Sequence, residues 1–91
     1  MNSIIVSVYA LLFSNGAIYV GITKDMNRRM EEHRRRQSVS TRRNKGNFKV
    51  IYEKKFEDYA SARRHEKYLK SGAGKGFLRK QHLILAVVGV R

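Results

Sequence analysis

The sequence predicts an α+β domain (mixed α/β): a small three-stranded antiparallel sheet flanked by helices in the order ββαβα, with one more helix at the end. Three observations predict it. Ile4 to Phe13 and Ala17 to Ile22 are β-branched and aromatic and enclose Ser14-Asn15-Gly16, a hairpin signature. Two later stretches carry apolar residues at helical spacing behind acidic capping residues. Finally, 91 residues without a repeat or a dividing linker make residues 1–91 one domain around one core.

The loop between the first two strands decides which side chains share a face. With a two-residue Asn15-Gly16 turn, Ser14 pairs with Ala17, and Tyr9 and Tyr19 fall on opposite faces. With a three-residue Ser14-Asn15-Gly16 loop and a left-handed Gly16, Tyr9 lies opposite Gly21 and Tyr19 opposite Leu11, on one face. Without other context, two strand tyrosines are ordinary core or cross-strand aromatics.

Thr23 or Asp25 then caps a helix running to about Arg36, with Asp25 near its positive end. A helix advances about 100° per residue. With Met26 at zero, Met30 falls at about 40°, His33 at about 340° and Arg29 at about 300°, whereas Arg28 points to about 200°. Arg29 and His33 therefore sit one turn apart at the margin of the buried stripe, and Arg28 faces solvent.

Residues 37–47 read as a polar, basic loop. Phe48 to Phe56 supplies the third strand, and Glu57 or Asp58 opens a helix ending at Lys70, with Gly72 as its C-terminal cap. A last helix starts at about Gly76, and residues 81–91 form an apolar tail that packs on the domain or offers a small contact surface. The tail run Leu83–Val90 is far shorter than the roughly 20 residues of a membrane span. The N-terminal apolar stretch lacks the basic start of an export signal.

On the second helix, Tyr59, Ala62 and Leu69 share an arc, and Glu66 falls at about 340° relative to Tyr59, within that arc. A carboxylate on an apolar stripe is costly unless it pairs with a cation or holds a metal. A structural salt bridge and a metal site are equally open there. Of seven carboxylates, Glu66 alone is inward without serving as a cap or a surface charge. One carboxylate with waters and phosphate oxygens is a normal Mg²⁺ shell.

Lys and Arg number 20 against 7 Asp and Glu, a formal net charge of +13, which points to a polyanionic partner and most economically to nucleic acid. Arg34, Arg35 and Arg36, with Arg42 and Arg43, are placed to track phosphates, as is Lys75; a merely solvated face is the plainer alternative. Tyr52, Tyr59 and Tyr68 are candidate stacking surfaces, with core or surface packing the plainer role. The absence of cysteine excludes disulfides and thiolate metal sites and fits a reducing cytoplasm. Gly72 to Gly76 (GAGKG) lacks the spacing of a phosphate loop, and His65 and His82 lack zinc-ligand spacing.

Val8-Tyr9, then Tyr19-Val20-Gly21, then Arg29 and His33 four apart in RMEEH, then Glu66 in HEKYLKSGAGKGFLRK, resemble the GIY-YIG nuclease superfamily over roughly residues 5–80. The small stand-alone UPF0213-type members are the particular likeness. The resemblance implies metal-dependent hydrolysis of a DNA phosphodiester on a ββαβα core, using one Mg²⁺ or Mn²⁺. It implies that Tyr9 activates water, that Tyr19 supports it or positions the phosphate, and that Arg29 stabilises the transition-state phosphate. His33 would assist and Glu66 would bind the metal. A core this small suits structure-selective or single-strand cleavage, with RNA a further candidate substrate, no membrane partner, and a monomer rather than a dimer formed through the tail. The alternative is a non-catalytic basic nucleic-acid-binding module.

Overall fold

A computed structural model describes residues 5–35 and 47–88. The elements are β1 (Val6–Phe13), β2 (Ile18–Thr23), α1 (Met26–Arg34), β3 (Phe48–Phe56), α2 (Tyr59–Lys70) and α3 (Gly72–Val88). The three strands form one antiparallel sheet in the order β2-β1-β3, so the central strand is the most apolar of the three.

The hairpin adopts the three-residue loop. The Phe13 amide donates to the Ala17 carbonyl at 2.9 Å, and Gly16 takes φ 90°, a conformation that costs glycine little. Tyr9 pairs with Gly21, and Leu11 with Tyr19. Both tyrosines consequently share a face.

Alternation along β1 divides the core in two. Val6, Val8 and Ala10 pack with Ala62, Leu69 and Leu78 of α2 and α3. Tyr9, Leu11 and Phe13 turn the other way and pack with Met30 of α1. The sheet is thus covered on both faces, as a small α+β domain requires to bury two apolar sides. Register slips by one residue between Ala10 and Leu11 because β3 carries an extra residue, Ile51, at a bulge.

Asp25 caps α1, its side chain accepting from the Arg28 amide at 3.0 Å, and Asp58 caps α2 through the Ser61 amide at 2.7 Å. The first helix ends at Arg34, two residues before the expected Arg36.

Two expectations need correction. Gly72 does not cap α2; Ser71 does, and Gly72 is already the first residue of α3. Ser71 also accepts from the amides of Gly74, through Oγ at 3.2 Å, and Lys75, through its carbonyl at 2.9 Å, so one residue closes one helix and opens the next. Of the three glycines there, Gly74 answers to packing, while Gly72 and Gly76 face open space. A Cβ on Gly74 would run into the Tyr68 carbonyl and the Leu69 backbone, so glycine lets the two helices meet closely. The second correction concerns the tail: positions 81–88 continue α3 as helix, while 89–91 lie outside the described residues. Among the described residues no helix is long and apolar enough to cross a membrane.

Candidate active site

The face of the sheet beneath α1 gathers Tyr9, Tyr19, Arg29 and His33. The hairpin register places the tyrosines, and the helix turn places the arginine and histidine. Tyr9 is fully buried; its ring centroid lies 6.1 Å from that of Tyr19 and 5.8 Å from that of His33, and the Tyr19 and His33 centroids are 5.5 Å apart. Phe48 of β3 closes the far side, edge-on to His33 at 5.9 Å.

The Tyr9 hydroxyl is the hub. Arg29 Nε donates to Tyr9 Oη at 3.1 Å, and Tyr9 Oη lies 2.9 Å from His33 Nε2. A guanidinium N–H can only donate, so the hydroxyl accepts from Arg29. With the imidazole proton on Nδ1 the Tyr9 hydroxyl donates to His33 Nε2; with it on Nε2 the direction reverses. Arg29 Nη1 also donates to Glu32 at 2.8 Å, which fixes the guanidinium from its other side.

The electrostatics follow from burial. Burial pushes the Tyr9 hydroxyl above its ordinary pKa and outweighs the hydrogen bond from Arg29, which lowers it. His33 is pushed down to about 4, first by burial and then by the positive charge of Arg29. For Arg29, burial works against the charged form, but hydrogen bonds to Tyr9, Glu32 and Tyr19 prevail and hold its pKa above the ordinary value. At neutral pH the trio is therefore a phenol, a neutral imidazole and a guanidinium.

A pH dependence of stability follows. The unfolded chain protonates His33 near 6.5 and the folded chain near 4, so stability falls as the pH drops through that window, by up to about 3 kcal/mol. Denaturant melts of wild type and His33→Gln between pH 7 and pH 4 check this. The variant should lose less stability than wild type. A residual slope is expected from His65, whose pKa is lowered in the same sense by burial and by Lys54. Equal slopes for the two proteins would refute the account of His33.

Sequence reasoning named Gly21 as a register partner and as part of Tyr19-Val20-Gly21, but gave it no place in the site. A Cβ there would lie 2.5 Å from Tyr9 Oη and 2.9 Å from Tyr19 Cε2, so the empty side chain is the space in which the two phenols sit. Glu32 was also missed, although its place three residues after Arg29 is a standard helical ion-pair spacing.

Arg28 is 66% exposed at its side chain and Arg29 29%, as the helical wheel requires. Arg34 and Arg35 are both exposed and both bind Glu31, at 2.8 and 3.0 Å. Arg36, Arg42 and Arg43 lie outside the described residues. Lys75 is half-buried in the first turn of α3.

Glu66 stands apart from this cluster. It is 5% exposed on the inner stripe of α2, the helix that covers the opposite face of the sheet from Tyr9. Its carboxylate meets Lys70 Nζ at 3.1 Å and Arg63 Nη1 at 3.5 Å. Tyr59, expected on the same inward arc, is instead 51% exposed, because it stands at the very start of the helix and Ala62 is the first residue to reach the core. Among the described residues no group of three His, Cys, Asp or Glu could cage a metal. Glu66 is thus a single buried carboxylate whose two oxygens already meet Lys70 and Arg63, so a hard cation could take it as an oxygen donor only by displacing them.

A family model described as the GIY-YIG catalytic domain matches residues 5–80. A UPF0213 protein of Autographa californica nuclear polyhedrosis virus is 38% identical over 71 residues, which cover 77% of this chain and 68% of the viral one. A UPF0213 protein of Staphylococcus aureus (strain Mu3 / ATCC 700698) is 30% identical over 64 residues, covering 70% of this chain and 78% of its own. The solution structure of a UPF0213 protein from Bacillus halodurans aligns over 93% of this chain and 86% of its own, with 26% identity and a TM-score of 0.49.

Proposed function

Because the chain belongs to the GIY-YIG family, a family of nucleases, we propose that it is a divalent-metal-dependent endonuclease that hydrolyses DNA, acting on single-stranded or structurally distorted substrate. The observation that carries the reading is the Tyr9 hydroxyl held between Arg29 Nε and His33 Nε2. A buried phenol needs one hydrogen-bond partner; a guanidinium and an imidazole on the same oxygen exceed that need.

In this reading Tyr9 moves a proton without first becoming a phenolate. With the His33 proton on Nδ1, water attacks phosphorus as its proton passes to Tyr9 Oη and the Tyr9 proton to the neutral His33 Nε2. The P–O bond to the leaving sugar oxygen breaks, and that oxygen takes a proton from solvent. Arg29 Nε stabilises the negative charge that builds on Tyr9 Oη, and the remaining guanidinium donors serve the phosphate oxygens. Tyr19, in ring contact with both Tyr9 and His33, positions the phosphate. A divalent ion, if Glu66 held it in place of Lys70 and Arg63, would offset phosphate charge from the α2 side of the sheet, apart from Tyr9. Arg34, Arg35 and Lys75, with Arg36, Arg42 and Arg43, would hold the backbone of the strand. The chain would work as a monomer in the cytoplasm, a compartment that suits a protein without cysteine.

The ion pairs of Glu66 with Lys70 and Arg63 favour a second reading, a basic module that binds nucleic acid without cutting it. One experiment separates the two. Labelled single-stranded, duplex and branched DNA are incubated with wild type and with Glu66→Gln, in Mg²⁺ or Mn²⁺ and in EDTA. Cleavage by wild type alone, abolished by EDTA, is the expected result. Salt-dependent binding of all three substrates with no product would give the lead to the binding module.

A further inference from the structure

Tyr59 has no place in the core, yet it does not simply face solvent. It forms part of the wall of a cleft of about 300 Å³ at one end of the sheet, whose other walls are Ile22 and Thr23 of β2 and the cations Lys24, Arg28 and Arg29 at the start of α1. The cleft joins the two helical layers, and Arg29 belongs both to it and to the tyrosine cluster. Its volume lies at the small end of ligand pockets, which run from roughly 300 to 1,000 Å³, a size that suits one nucleotide and excludes a duplex segment.

A neighbouring cleft shows why this one suits an anion. It is also lined by Lys24, but the carboxylates of Asp25 and Glu53 line it too and would repel a phosphate. The Tyr59 cleft has three cations and no carboxylate in its lining. Glu32 partly offsets two of them, 2.8 Å from Arg29 and 3.8 Å from Arg28, and Lys24 remains exposed beside them. Charge and an exposed aromatic ring are the two elements that single-strand binding sites combine.

We propose that this cleft seats the nucleotide next to the scissile phosphate, its base stacked on Tyr59 and its outer phosphate held by Lys24 and Arg28. The proposal rests on the nuclease reading, since Arg29 is what puts the cleft beside the reacting phosphate. It gives the single-strand preference a physical seat. A base reaches Tyr59 only after leaving its own duplex stack, so the cleft selects an unpaired nucleotide.

The test is an amide-resolved NMR titration of the full chain with thymidine 5′-monophosphate, deoxyribose 5-phosphate and inorganic phosphate. Thymidine monophosphate should bind about fivefold or more tightly than deoxyribose 5-phosphate, the lower bound for one base stacked on an aromatic ring. The shifts should centre on Thr23, Lys24, Arg28 and Tyr59. Tyr59→Ala should remove the advantage of the base, and Tyr59→Phe should keep it. Equal affinity for the two sugar phosphates in wild type, an unchanged advantage in Tyr59→Ala, or shifts centred on the exposed Tyr68 and Phe77 instead would each overturn the proposal. Cleavage is scored separately. Wild type that shows the base advantage but cuts no DNA would remove the nuclease reading and leave the nucleotide seat. Wild type that cuts DNA with no base advantage would remove the seat alone.

Discussion

Replacing Arg29 with alanine is expected to lower the turnover of DNA cleavage about a hundredfold or more, the scale set by removing one preorganised charge donor from a transition state. In the proposed mechanism the guanidinium contributes twice, through Nε to the Tyr9 hydroxyl and through its remaining donors to the phosphate. Arg29→Lys should recover little, since an ammonium on a flexible stem cannot hold Tyr9 and Glu32 in one plane. The adjacent Arg28→Ala provides the contrast: if Arg28 holds the strand in the Tyr59 cleft as proposed, it should raise KM while turnover stays within a few-fold. Turnover of Arg29→Ala within tenfold of wild type would sink the role given to this residue.

Tyr9→Phe is expected to reduce turnover by a factor of about 10² to 10⁴, the range for a positioned proton-transfer group. The ring stays and packs as before, so lost shape is not the cause. What goes is the single atom that meets both Arg29 and His33. Two polar groups lose a partner in a buried setting, which should also lower stability by about 1–3 kcal/mol. Parallel denaturant melts and single-turnover rates separate these effects. A folded Tyr9→Phe protein that cuts at near wild-type rate would show that the proton takes another route.

Much of this site could be read from the chain because its parts depend on local geometry. Arg29 and His33 are one helical turn apart whatever surrounds them, and Arg28 is rotated away by the same arithmetic. The shared face of Tyr9 and Tyr19 hung on loop length alone, and the three-residue alternative is the one adopted. Tertiary contacts were harder to see. The glycines from 72 to 76 look like a helix stop, because their local preference is against helix. They are helical because Ser71 caps the new helix and α2 leaves no room for a side chain at Gly74. Tyr59 has the right angle for burial, but angle does not tell how far the sheet extends beneath the helix. Glu66 was correctly expected to be inward and in need of a partner; that Lys70 and Arg63 of its own helix supply it is a matter of rotamers, which periodicity cannot give.

The loop Ser14-Asn15-Gly16 has a bearing on how such a chain can vary over generations. Strand faces alternate with period two, so the hairpin behaves like a text read in a two-letter frame. A slip of the pairing by one residue shifts every position of β2 by half a period, turning Tyr19 away from Tyr9 and Val20 out of the apolar layer together. The active centre would be dismantled with every one of its residues still encoded. What working relatives have to keep is the pairing that closes the loop, Phe13 against Ala17, whatever the number of residues between.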